Sequence, residues 1–172
     1  MNNSLLGGQF CTDSVDVQQS GDNQFAHNRL AIIPRLNFTC NGRITSIRAR
    51  VTFNNTRRNY LFFQVWREES VSSTVYNKIG EVQLLSDDQV TRGSNNYWEA
   101  NIILNSTNAI EVQSGDVVGY YHPPDARFQV RTIQTDGYIL YQFSGSPASV
   151  NLSNANRNDN NLQPMIQFTI GT

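Results

Sequence analysis

The residues best suited to bind a ligand surround one short loop, HPPD at 122–125, which follows Tyr120 and Tyr121. A tyrosine offers a flat apolar ring and a hydroxyl group at a low cost in conformational entropy. Sugars use that combination, because their C–H faces stack on the ring while polar side chains bond their hydroxyls. Two prolines stiffen the loop, so less order is gained on binding. The predicted ligand contacts are Tyr121, His122, Asp125 and Arg127, and the alternative is a structural corner with one tyrosine in the core.

Arginines form the second candidate site. Every basic residue except Lys78 is arginine, which presents a planar fork of donors to carboxylates and sulfates. Arg48 and Arg50 share one face of a predicted strand, and Arg127 and Arg131 share one face of another. If the two strands are neighbours, four guanidiniums line a patch suited to sulfated or carboxylated glycans. The alternative is a set of scattered surface arginines, each paired with a glutamate.

Few residues of the sequence are arranged for catalysis or for metal binding. The chain has two histidines and none of the hydrolase, metalloprotease or phosphate-loop motifs. The adjacent carboxylate pairs, Glu68-Glu69 and Asp87-Asp88, point to opposite faces if they lie on strands. We therefore predict that the protein is not an enzyme and needs no cofactor. A carbohydrate-active enzyme is the alternative, and it requires a cluster that only the fold could assemble.

Calcium is the one metal that the sequence raises. The Asn-rich stretch 156–161 contains Asp159, and a looser set contains Asp13, Asp16 and Asp22. Calcium needs six to eight oxygen ligands, and the first stretch supplies a single carboxylate. We predict a solvated loop there and no metal site.

The elements that must position these residues are strands. In RITSIRARVTF (43–53), Ile47, Ala49, Val51 and Phe53 alternate with polar residues, and YLFFQVWR (60–67) is apolar enough for a strand covered on both faces. Further short strands follow at regular spacing, separated by turns rich in Gly, Asn and Asp. The first thirty residues and the stretch 151–162 read as irregular. The pattern predicts one all-β domain over residues 1–172, an antiparallel sandwich of jelly-roll type.

The cysteines and the N-glycosylation sequons indicate whether the protein is extracellular or cytosolic. Cys11 and Cys40 are too few for a structural zinc site, so one disulfide that pins the N-terminal segment is the economical reading, worth about 3 kcal/mol. Two free thiols in a cytosolic protein are the alternative. Five N-x-S/T sequons favour a secreted chain or an ectodomain. They lie at Asn2, Asn37, Asn54, Asn105 and Asn151.

Net charge and hydropathy exclude two classes of partner. A formal net charge of -1 gives no bulk attraction to nucleic acids or to an anionic bilayer. No apolar run approaches the roughly 18 residues that a membrane span needs. The predicted partner is therefore an extracellular glycan or protein.

Four segments, taken in order, carry a resemblance: FTCNGRITSIRARV, FFQVWR, YNKIGEVQL and IEVQSGDVVGYYHP. In that order they resemble β-sandwich modules of extracellular and receptor-like proteins from early-branching animals, sponges especially. The resemblance covers most of the chain, from about Cys11 to the last strand. It implies a non-catalytic extracellular module and transfers no ligand or binding residue.

These observations together predict a non-catalytic extracellular recognition domain. Binding of a glycan, by the end loops or by the arginine face, is the leading version. A protein–protein adhesion or receptor module, trimeric like other compact jelly rolls, is the first alternative, because aromatic and arginine-rich patches also serve as protein hot spots. A structural matrix domain without a pocket is a further alternative.

Overall fold

The computed structural model describes residues 9–12, 28–93 and 97–171. The described residues form sixteen strands and two short 3-10 turns, Asp87–Gln89 and Leu152–Asn154. In chain order the strands are β1 (Gln9–Phe10), β2 (Arg29–Asn37), β3 (Gly42–Phe53), β4 (Phe62–Glu68), β5 (Val75–Gln83), β6 (Val90–Arg92), β7 (Trp98–Ile103), β8 (Glu111–Val112), β9 (Val117–His122), β10 (Phe128–Val130), β11 (Thr132–Gln134), β12 (Leu140–Ser144), β13 (Ser149–Asn151), β14 (Asn156–Asn158), β15 (Leu162–Pro164) and β16 (Ile166–Gly171).

Two antiparallel sheets and one small ladder contain these strands. Sheet I has the order β1-β16-β3-β7-β6, with β8 and β10 also paired to β3, and sheet II has the order β13-β5-β4-β9-β2-β12-β14. The remaining pair is β11 with β15. This arrangement confirms the predicted all-β, sandwich-like single domain. Within the described residues, no helix is long and apolar enough to cross a membrane.

The alternation of β3 places its side chains as predicted. Ile47, Ala49 and Val51 are buried in the main core between the sheets, where Phe168 of β16 packs edge-on against Phe38 at 5.4 Å. From sheet II, the opposite wall of this core includes Phe63, Val65, Val118 and Tyr120. The core therefore fixes which face of each strand remains for a ligand.

One edge of β3 is divided between two strands. β16 pairs with its first half and β10 with its end. At the division, the amide of Arg50 donates to Met165, that of Met165 to Arg131, and that of Arg131 to Arg50, at 2.9–3.0 Å. The segment RFQVRTI, predicted as one strand, is consequently broken at Arg131 into β10 and β11.

Sheet II curls on itself. Its two edge strands, β13 and β14, follow one another in the chain, and the connection between them is only residues 152–155. Five Cα steps reach at most about 18 Å, whereas seven strands laid flat would span about 28 Å. The concave face produced by the curl holds a second core around the fully buried Trp66. Its other buried members are Leu30, Ile32, Tyr76, Val117 and Val150.

Three segments differ from the prediction. Arg29–Asn37 was not predicted as a strand, because Pro34 interrupts its pattern, and the pairing of β2 with β9 is irregular between Ile33 and Asn37. The stretch 151–162, predicted as a loop, contains β14, which pairs with β12. The N-terminal segment, predicted as irregular, contributes β1 to sheet I.

The disulfide between Cys11 and Cys40 is present and confirms the predicted pairing. Thr39 reinforces it, since its amide and its hydroxyl both donate to the carbonyl oxygen of Cys11, at 2.7 and 3.1 Å. Cys11 is buried in the main core. The segment before β2 is thus tied to the body of the domain at this point.

Candidate functional site

The predicted aromatic loop forms a packed corner at one end of the sandwich. His122 is fully buried, and its Nε2 accepts a hydrogen bond from the amide of Val130 at 2.9 Å. Tyr120 is in the main core, while Tyr121 is half-buried against Phe62 on the opposite face. The alternation of the two tyrosines is therefore as expected. His122 has no exposed surface with which to contact a ligand in this structure.

Arg127 braces the same corner. It forms a two-pronged ion pair with Asp87, and its Nη1 donates to the carbonyl oxygens of Asn55 and Arg57 at 2.8 and 2.9 Å. Its guanidinium also lies over the ring of Phe53, 4.8 Å from the centroid. Four of the five N–H groups of this arginine are thus engaged inside the protein.

Asp125 remains exposed at the tip of the corner, with a positive φ of 57°. Its carbonyl oxygen accepts from the amides of Arg58 and Asn59 at 3.3 and 3.1 Å. Asn59 also donates through its side chain to Pro124 at 2.6 Å. The corner is therefore a hydrogen-bonded structure in its own right, and ligand binding there stays a prediction.

The ion pair of the corner makes stability depend on acid pH. The hydrogen bonds from Arg127 lower the pKa of Asp87, and the hydroxyl of Tyr60 acts in the same direction. A carboxyl group whose pKa is lower in the folded state stabilises the fold above its unfolded value, about 3.9, and loses that contribution as the pH falls. We expect Asp87→Asn to lower Tm by about 1–3 °C at neutral pH, and this difference should shrink as the pH falls below about 4.

The control for this prediction is Asp88→Asn, which removes the neighbouring exposed carboxyl group. Asp88 makes no hydrogen bond or ion pair with the described residues, so its replacement should leave Tm unchanged. Thermal melting of the three proteins between pH 2 and pH 7 makes the comparison. A difference between wild type and Asp87→Asn that does not shrink toward low pH would contradict the assigned role of the charge.

The predicted arginine face assembles in part. β10 does pair with β3, and Arg131, which follows β10, donates its amide to the carbonyl oxygen of Arg50 at 2.9 Å. Arg48 forms an ion pair with Glu99 at 2.7 Å. Arg50 is 8% exposed and lies 4.4 Å from the ring centroid of Tyr97. Since Arg127 belongs to the corner, the four guanidiniums do not line one open patch.

Four predicted glycosylation sites are on described residues. Asn54, Asn105 and Asn151 each accept, through Oδ1, the amide of the residue two positions on, at 2.9–3.0 Å. Asn37 instead ends β2. Asn37, Asn54 and Asn105 are exposed and Asn151 is half-buried. Occupancy stays a prediction at all four, and Asn2 lies outside the described residues.

The candidate calcium ligands that lie on described residues do not gather into a cluster. Asp159 forms an ion pair with Arg157 at 2.6 Å, and the oxygen of Asn158 accepts the amide of Asn160. Among the described residues, no three His, Cys, Asp or Glu side chains lie close enough to hold a metal ion. Asp13, Asp16 and Asp22 lie outside that part of the chain.

A groove of about 950 Å³ opens at the other end of the sandwich, between β5 of sheet II and the turn between β7 and β8 of sheet I. Its apolar lining includes Ile79 and Ile110. A Cβ atom on Gly80 would lie 2.7 Å from Cγ2 of Ile110, so glycine allows this contact between the sheets. None of the described residues that line the groove is aromatic.

A fixed guanidinium enters the groove from β4. Nε and Nη2 of Arg67 donate to the two carboxylate oxygens of Asp116 at 2.7 and 2.8 Å. The side chain of Asp116 is 2% exposed, and it also accepts the amide of Gln113 at 2.7 Å, across a turn in which Gly115 has a φ of 97°. The Gly-Asp turn is therefore structural, and it additionally holds Arg67 in place.

Two asparagines present donors to the same groove. Oδ1 of Asn41 accepts the amide of Ser114, and Oδ1 of Asn108 accepts the amide of Asn105, both at 2.8 Å. Because the oxygens are used, each side-chain amide is oriented with its NH₂ group left over. Neither NH₂ group has a partner among the described residues.

The acidic residues of the groove are already engaged. Glu81 accepts from Lys78 at 2.9 Å and from the buried Gln64 at 3.1 Å. Glu111 forms an exposed ion pair with Arg43 at 2.7 Å. Each of these carboxylates is bonded through one oxygen and keeps the other, so the groove offers acceptors as well as donors.

Sequence reasoning missed this groove. Arg67 and Asp116 are 49 residues apart, and Asn41 and Ser114 are 73 apart, so no local pattern signals their approach. The turn containing Asp116 was recognisable, but its partner was not. The chain matches none of the protein-family models, curated proteins or solved structures with which it was compared.

Proposed function

We propose that the protein is a non-catalytic extracellular recognition domain that binds a glycan in the groove. The fixed pair of Arg67 and Asp116 carries this proposal, because a rigid polar group that lines the groove lowers the cost of ordering a bound ligand. The disulfide and the exposed sequons support an extracellular location. The resemblance to ectodomain modules, which stays a prediction, points the same way.

The groove suits a glycan better than the corner does. Glycan hydroxyls need oriented donors, and Asn41 and Asn108 supply them from side chains whose oxygens are already bonded. Small apolar patches such as Ile79 can meet the C–H faces of a sugar ring. At the corner, Arg127 and His122 spend their hydrogen bonds within the fold.

A glycan array read with a groove variant tests the proposal. The wild type is expected to bind a defined subset of glycans, and Asn108→Ala should weaken binding at least about fivefold, since it removes an oriented donor. Asn158→Ala is the matched control, because it removes the same kind of side-chain-to-amide bond on β14, away from the groove.

Two outcomes would contradict the proposal. A blank array for the wild type would remove the glycan and favour a protein ligand. Equal loss of binding in Asn108→Ala and Asn158→Ala would mean that the groove is not where the glycan binds.

A further inference from the structure

We infer that the glycan is acidic, and that its carboxylate or sulfate oxygens bind the outer edge of the Arg67 guanidinium. The inference rests on the proposed function and names the ligand class of the same groove.

The guanidinium of Arg67 bonds to Asp116 along its Nε–Nη2 edge and presents its Nη1–Nη2 edge to the groove. A guanidinium has five N–H groups, and Asp116 takes one on Nε and one on Nη2. The two on Nη1 and the second one on Nη2 have no partner among the described residues. Nη1 and Nη2 form the end-on fork that pairs with two oxygens of a carboxylate or sulfate.

Because Asp116 holds one edge of the Arg67 guanidinium, the other edge is presented to a ligand in one orientation. The carboxylate of Asp116 is buried and anchored by the amide of Gln113, so the guanidinium cannot swing away. The hydrogen bond to Asp116 also raises the pKa of Arg67, so the group stays charged. Its side chain is nevertheless 38% exposed and lines the groove. An oxyanion can therefore bind without further ordering of the arginine.

The surrounding groups favour an oxyanion over a neutral hydroxyl. A sugar hydroxyl both donates and accepts, whereas a carboxylate or sulfate only accepts. Asn41 and Asn108 offer donors, and the carboxylates of Glu81 and Glu111 are already bonded to cations. An oxyanion would meet the end-on fork of Arg67 and these NH₂ groups, while Lys78 and Arg43 offset the charge of the two carboxylates.

The inference also separates Arg67 from the arginines that the sequence singled out. Arg127 spends four N–H groups on Asp87 and two carbonyl oxygens, and Arg50 is nearly buried. Arg67 keeps three N–H groups and lines an open groove. The binding site for the acidic sugar is thus assigned to Arg67 on β4, and not to the arginines on the face of β3 and β10.

The test compares three probes by calorimetric titration of the full chain: a uronic-acid oligosaccharide, its methyl ester, and a sulfated oligosaccharide without uronic acid. The ester keeps the sugar rings and removes only the charge. We expect one or both acidic probes to bind at least about tenfold tighter than the ester. Arg67→Lys keeps a cation beside Asp116 but loses the fork, so it should remove most of that preference.

Arg157→Lys is the matched control, since Arg157 is also paired with an aspartate but lies on β14. If Arg67→Lys does not fold, side-chain NMR of the wild type decides the question. The Arg67 Nε–H signal should shift with the acidic probe and stay in place with the ester.

The outcomes separate the two proposals. Equal binding of both acidic probes and the ester, with Asn108→Ala still weakening all three, would overturn the acidic ligand and leave the glycan site standing. No binding of any of the three probes would overturn the acidic ligand, and a glycan array that is also blank would overturn the glycan site. A preference for the acid that survives in Arg67→Lys, or that leaves the Arg67 signal in place, would overturn the assignment to this arginine. Whether the carboxylated or the sulfated probe binds identifies the source of the oxyanion.

Discussion

Trp66→Ala is expected to lower the free energy of unfolding by about 3–5 kcal/mol, which corresponds to a fall in Tm of about 10 °C for a chain of this size. Trp66 is fully buried at the centre of the second core. Its indole N–H donates to Oε1 of Gln64 at 3.2 Å, and Gln64 is itself fully buried. The truncation would therefore leave both a cavity and an unpaired oxygen. Urea denaturation at neutral pH measures the change.

Trp98→Ala is the matched control. Trp98 is half-buried and packs at the margin of the main core, so its loss should cost clearly less. Equal costs for the two variants would contradict the central place of Trp66.

Gly119 tests the same packing from the opposite direction. A Cβ atom there would lie 2.8 Å from Nε1 and 2.9 Å from Cδ1 of Trp66. We expect Gly119→Ala to destabilise by about 1–3 kcal/mol, and by less in a Trp66→Phe background, because the indole nitrogen is then absent. The same cost in both backgrounds would show that the indole is not what the glycine accommodates.

Loss of the disulfide is the second large effect. The bond joins residues 29 apart in sequence, and closing such a loop stabilises the folded state by about 2–4 kcal/mol. We expect the double variant Cys11→Ala, Cys40→Ala to lose about that much in urea denaturation. Faster amide exchange at Thr39 should accompany it, since this amide donates to Cys11.

Two observations check the origin of that effect. Treatment of the wild type with reductant should reproduce the loss, whereas the same treatment should leave the double variant unchanged. The non-reduced mass should be about two daltons below the reduced mass. Alkylation of two thiols in denatured, non-reduced protein would contradict the bond.

The local pattern of the sequence determined the strands that alternate cleanly. In β3, apolar residues at every second position face one way, because side chains of a strand point to opposite sides in turn. The apolar run at the start of β4 correctly predicted burial on both faces, with Phe63 in one core and Trp66 in the other. The two cysteines allowed only one pairing, and the structure decided between that disulfide and two free thiols.

Tertiary structure alone decided the rest. The sequence did not predict β2, because Pro34 interrupts the alternation of its apolar residues. Hydrogen-bonded pairing with β9 and β12 compensates for its weak local strand propensity. The curl of sheet II depends on the short link between β13 and β14, which no local rule expresses.

The sites follow the same division. The sequence indicated which residue types could bind a ligand, but it did not show which of them are already paired. At the corner, Arg127 is paired with Asp87, and in the groove, Arg67 is paired with Asp116 of a different strand. Which donors remain free depends on partners that are 40 or more residues away. Hydrogen bonds are short-ranged in space and indifferent to separation along the chain, so only the folded chain determines them.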